Sequence, residues 1–92
     1  MDGVVASLVL YSRPGCRLCD EMKAVVRRVA TRVPLVFEEI DISADAALEA
    51  RYGVDIPVLL VNGSKAAKHR VAEGELMKIL AGRAGAPGKA GR

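Results

Sequence analysis

Tryptophan is missing from this 92-residue chain, histidine occurs once (His69), and the other aromatic residues are Tyr11, Phe37 and Tyr52. Proteins that grip single-stranded nucleic acid interleave aromatic rings with clustered cations. None of these rings lies in a basic patch, and the net charge is only +3, so no nucleic-acid partner is expected. Long apolar runs are missing too. Ser7-Leu8-Val9-Leu10-Tyr11, part of one of the longer apolar stretches, falls far short of the ~18 residues of a membrane-spanning helix and suits a buried strand. No membrane partner is expected. Met1-Asp2-Gly3 places an acid where a signal peptide carries positive charge, and no small-residue cleavage site follows, so the expected location is cytoplasmic. Cysteine is scarce: there are two, where a secreted disulfide scaffold of this length has roughly four to eight.

What is there is the composition of one globular domain, 51% hydrophobic and 27% charged. Residues 4–11 are β-branched and apolar with almost no alternation, as in a strand buried on both faces, and Ser12-Arg13-Pro14-Gly15 breaks it. From 16 or 17 to about 32 the period becomes helical: Leu18, Met22, Val25, Val26, Val29 and Val33 form one stripe, with Lys23, Arg27 and Arg28 pointing elsewhere. Residues 35–42 return to strand composition. Ser43 is placed to cap a short helix over 44–52 that Gly53 ends as a left-handed C′ residue. Residues 57–61 form a further buried strand. Asn62-Gly63 is a hairpin turn, the returning strand spans 66–71 with His69 as an ordinary strand residue, and a last helix spans 73–80. Residues 1–81 form the domain, and 82–92 a flexible basic Gly/Ala tail. The order β-α-β-α-β-β-α predicts an α/β fold: a four-stranded mixed sheet with helices on both faces, the second and last strands at its edges.

This arrangement puts Cys16 at a helix N-terminus, just after a central strand and a Pro-Gly turn. Unpaired amides and the positive end of the helix dipole stabilise a thiolate there. Arg13 and Arg17 add positive charge; Asp20 and Glu21 oppose it. Cys19, three residues on and facing the same side, is the more covered thiol and the candidate resolving residue.

The stretch from Leu10 through Ser12-Arg13-Pro14-Gly15-Cys16-Arg17-Leu18-Cys19, together with Asp55-Ile56-Pro57-Val58-Leu59-Leu60-Val61-Asn62-Gly63, resembles the glutaredoxin-like branch of the thioredoxin superfamily. The resemblance implies a thioredoxin-like fold and a thiol–disulfide oxidoreductase acting on protein or small-thiol disulfides; the expected state is a monomer. It implies that Cys16 is the nucleophile, that Cys19 resolves the mixed disulfide, and that Pro57 follows a cis peptide bond. Arg13, Arg17, Leu18, Ile56 and Pro57 would meet the substrate, Arg13 standing where glutaredoxins often place a lysine that meets a glutathione carboxylate. Arg17-Leu18 replaces the family's usual Pro-Tyr, Asp55-Ile56 its frequent Thr-Val, and its Gly-Gly-Asp glutathione contact has no match near Val71-Ala72-Glu73-Gly74. No cofactor is required, with glutathione one candidate reductant. The alternative is a non-catalytic binding module whose cysteines bridge a metal or iron–sulfur cluster between subunits. A zinc site within the chain needs four ligands and would have to recruit carboxylates.

Overall fold

In the computed structural model, which describes residues 5–84, strand β1 (Ala6–Ser12) buries alternate side chains completely. It lies between β2 (Leu35–Asp41), parallel to it, and β3 (Val58–Val61), antiparallel; β4 (Ser64–Lys68) completes the sheet in the order β2-β1-β3-β4. This is the expected mixed sheet with β2 and β4 at the edges.

Leu8 and Leu10 of β1, with Leu59 and Val61 of β3, face α1 (Arg17–Ala30) and α3 (Glu73–Ala84), which supply Met22, Val26, Val29, Leu76 and Leu80. Each such side chain buried is worth about 1.5–3 kcal/mol, so this layer holds the fold. Tyr11 points to the opposite face, as the two-residue period of a strand requires. There it stacks on Tyr52 of α2 (Ala46–Tyr52), with ring centroids 4.5 Å apart. Helices therefore lie on both faces.

Several boundaries differ from expectation for identifiable reasons. β1 runs through Ser12, whose side chain is held from below by Glu39. Helix α1 stops at Ala30, where Thr31 turns its hydroxyl back onto the Arg28 carbonyl. Strand β2 ends at Asp41: its carboxylate accepts from both the Ser43 amide and hydroxyl and winds Ile42–Ala44 into a single 3-10 turn that drives Ile42 into the interior. The cap of α2 is consequently Asp45, which accepts from the Ala47 and Leu48 amides, and not Ser43.

Gly53 is not a left-handed C′ residue. It is right-handed, with φ −53°, and its amide donates to the Glu49 carbonyl at 2.9 Å. Asn62-Gly63 does form the tight turn, both residues with positive φ, and so pairs Ser64 with Val61 and starts β4 two residues early. Strand β4 also ends early. His69, expected within the strand, lies beyond it at φ 68° and is exposed. Its amide reaches back to the Pro57 carbonyl at 2.8 Å. Helix α3 continues through Ala84, so residues 82–84 of the expected tail are helical; residues 85–92, like 1–4, lie outside the described residues.

Candidate active site

Strand β1 delivers the chain to one end of the sheet, and the four residues after Ser12 fold into a turn. Pro14 presets its own φ, Gly15 adopts φ 78°, and the Cys16 amide donates to the Arg13 carbonyl at 3.3 Å. Proline followed by a positive-φ glycine is the residue pattern of a type II turn. Its outcome is that Cys16 becomes the N-cap of α1.

The sulfur of Cys16 does what a serine or aspartate oxygen does at other helix starts: it accepts the Cys19 amide, at 3.1 Å. The Cys16 carbonyl meanwhile accepts from Asp20 at 3.1 Å. Cys16 and Cys19 are joined in a disulfide, their Cα atoms 5.2 Å apart. Cys16 is partly exposed, whereas Cys19 is 1% exposed and belongs to the buried stripe of α1. An amide aimed at the outer sulfur and a helix dipole behind it favour its anionic form once the bond is reduced.

The β1–β3 register brings the second sequence motif to the same end. Tyr11 pairs with Val58, so Pro57 lies level with Ser12, at the root of the loop that carries Cys16. The Ile56–Pro57 peptide bond is cis. Pro57 is buried and Ile56 half-buried, and the Ile56 amide is already donated to the Tyr52 carbonyl at 3.1 Å.

Of the other residues singled out from sequence, Arg17 is exposed and has no partner among the described residues, and Leu18 beside it is half-buried. Arg13 is placed differently. Its guanidinium leaves the loop, pairs with the Glu49 carboxylate of α2, and donates to the Gly53 carbonyl at 3.3 Å.

Three features were not found from sequence. Beneath the first turns of α1, the Ser12 hydroxyl donates to Glu39 at 2.7 Å and Lys23 pairs with the same oxygen at 3.1 Å. Lys23, expected on an open helix face, is thus folded onto the sheet. The Ser12 hydroxyl holds the Glu39 carboxyl below its ordinary range, against partial desolvation and with help from Lys23. Second, Glu49 and Gly53 receive Arg13. Third, an open groove of about 280 Å³ runs beside the site between α1 and the segment joining β4 to α3, lined by Glu21, Met22, Val25 and residues 69–72. Only the glycine could have drawn notice; the rest depend on partners distant in sequence, from the 16 residues between Lys23 and Glu39 to the 36 between Arg13 and Glu49. Among the described residues no three of His, Cys, Asp and Glu converge as a metal-binding group.

Comparison with known proteins bears on the family and the fold. The family model described as a glutaredoxin-like domain (DUF836) matches residues 7–81. The X-ray structure of the structural-genomics protein XcR50 from X. campestris is 29% identical, covering 83% of this chain and 97% of that one with a TM-score of 0.72. The solution structure of Ne2328 from Nitrosomonas europaea is 26% identical, covering 86% and 98%, with a TM-score of 0.71. A mutant thioredoxin from Halobacterium salinarum, 22% identical over 86% and 74% of the two chains, superposes with a TM-score of 0.63. The fold is the thioredoxin fold.

Proposed function

The chain belongs to the glutaredoxin-like (DUF836) family, and from that premise we propose that it is a thiol–disulfide oxidoreductase in which Cys16 attacks and Cys19 resolves. The observation that carries this reading is the asymmetry of the pair: one sulfur reachable at a helix N-cap, the other buried three residues behind it.

The Cys16 thiolate attacks one sulfur of a substrate disulfide; that S–S bond breaks, a thiolate leaves, and a mixed disulfide forms on Cys16. The Cys19 thiolate then attacks the Cys16 sulfur, expels the second substrate thiolate and closes the Cys16–Cys19 disulfide. Two electrons pass to the substrate, and the two thiol protons of the dithiol end on the two product thiols. Two molecules of glutathione, leaving as glutathione disulfide, or one molecule of a dithiol, itself oxidised to a disulfide, return the chain to its starting state.

Arg17, Leu18 and Ile56 supply the surface that receives the substrate, with the buried Pro57 shaping the backbone beneath it. Because the Ile56 amide is already used, an extended substrate laid along this segment would find the Ile56 carbonyl and not its amide, a one-point version of strand addition.

Alkylation of the reduced protein across pH, resolved by mass spectrometry, tests the assignment. Cys16 should react with an apparent pKa below the free-thiol value of ~8.5 while Cys19 stays protected. Cys16→Ser should abolish disulfide turnover, and Cys19→Ser should accumulate a mixed disulfide. Full turnover in Cys16→Ser would sink the reading.

A further inference from the structure

Arg13 is bound into the loop that presents the attacking sulfur, because its carbonyl closes the turn onto the Cys16 amide. A cation there would draw anionic disulfides toward Cys16. Its guanidinium is instead occupied by the Glu49 carboxylate and the Gly53 carbonyl. The approach depends on Gly53: a Cβ at that position would lie 2.5 Å from the Glu49 carbonyl oxygen, 3.0 Å from the Glu49 carboxylate and 3.3 Å from the Arg13 guanidinium. Asp41, at the end of β2, is a second acid that feels this cation. Its carboxyl is held below its ordinary range mainly by the Ser43 hydroxyl and amide, with the Arg13 charge adding to them. On the other side of the cysteines the charges are also engaged, Asp20 with Lys23 and Glu21 with Arg70, each at 3.8 Å. Arg17 there has no partner among the described residues.

A guanidinium in contact with a carboxylate projects little field toward an incoming ion, whereas an uncompensated one steers and holds it. We propose that Glu49 is a specificity-determining residue: by neutralising Arg13 it lowers the preference of the dithiol for anionic disulfides over neutral ones. The inference rests on the oxidoreductase reading above and adds the substrate charge class that the site disfavours. Glu49 does not touch the reacting sulfurs; it acts through Arg13.

The readout is a ratio of second-order rate constants for the fully reduced chain, measured at low ionic strength with glutathione disulfide (anionic) and hydroxyethyl disulfide (neutral). In each reaction the dithiol is oxidised to the Cys16–Cys19 disulfide and one substrate disulfide is reduced to two thiols. Because both rates are taken on the same protein, changes in folding or in thiol reactivity common to both cancel. Glu49→Gln keeps an oxygen that accepts from Arg13 but removes the negative charge, and should raise the ratio about three- to tenfold. Arg13→Gln leaves Glu49 uncompensated and should lower it by a similar factor. The double variant should return within about twofold of the wild-type ratio, and all differences should shrink at about 0.5 M salt. Equal ratios in four proteins that all react, or a lower ratio in Glu49→Gln, would overturn this inference alone. Absence of any Cys16-dependent reaction with either disulfide would overturn the oxidoreductase reading and this inference with it.

Discussion

The two faces of the sheet hold the two cysteines by different means. On the face of α1 and α3, Leu8, Leu10, Leu59 and Val61 are at most 1% exposed, and Cys19 is part of the same sealed layer. On the face of α2, Val58 is fully buried, but Val9 and Leu60 are half-buried, Val36 is 57% exposed, and α2 itself buries no residue completely. Besides its packing on the 3-10 turn of Ile42–Ala44, α2 is fastened by a tyrosine stack and the Arg13–Glu49 pair, and both of these run to the strand end and loop that lead into Cys16. The resolving sulfur is thus set by apolar packing, which tolerates little change. The loop of the attacking sulfur leans on aromatic and ionic contacts, which a single substitution can retune without emptying the core.

Adjacent residues of β3 sharpen this contrast most. Leu59→Ala opens a cavity in the sealed layer and should cost about 2–5 kcal/mol. Leu60→Ala, one residue on and facing the other way, should cost about 1 kcal/mol because solvent already reaches that site. Urea unfolding of the two variants measures the difference; equal losses would mean that the α2 face is as closely packed as the other.

A smaller effect should come from Gly53→Ala. Alanine favours helix over glycine by about 1 kcal/mol, and an open site would show that gain. Here the new methyl meets the Glu49 backbone oxygen at 2.5 Å, and the required shift should turn the gain into a loss of about 1–2 kcal/mol. Urea unfolding reads the sign; a stabilised variant would show that α2 moves freely enough to absorb the contact.

What could be read from sequence divides along similar lines. The Pro14-Gly15 turn, the Asn62-Gly63 hairpin and the apolar strands follow from preferences local to a few residues, and they suffice to place Cys16 at a helix start and Ile56-Pro57 at the same end of the sheet. Ser43 and Asp45 are both good caps, and only the earlier capture of Ser43 by Asp41 decides between them. His69 looks like strand because nothing near it in sequence shows that its amide will be claimed by Pro57. Sequence puts Arg13 beside the substrate and Lys23 off the apolar stripe of its helix, and does not show their acids, Glu49 and Glu39, which stand 36 and 16 residues away on other elements. A charge pattern lists the ions of a site but not which of them neutralise each other; that is a property of the folded chain.

The smallest effect tests the polar edge of the sealed face. Glu39 sits opposite Leu10 in the β1–β2 register, where an apolar residue would continue the core, and Ser12 beside it is buried at 3% exposure. The carboxylate fits there because a hydroxyl and an ammonium both favour its ionised form, which lowers its folded pKa below the ordinary value of 4.5. A lowered folded pKa means that the unfolded chain takes up the proton first as pH falls. The associated stability is therefore fully present above the unfolded value and drains away as pH drops from there through the folded one. Because Glu39 remains partly open to solvent, screening should keep this contribution below about 1 kcal/mol. Glu39→Gln should remove that part of the acid slope, flattening the stability profile as pH falls below about 5.5, roughly a unit above the ordinary carboxyl value. If wild type and variant lose stability in parallel across that range, the Ser12–Glu39–Lys23 cluster does not stabilise the fold. The two faces would then differ in apolar packing alone.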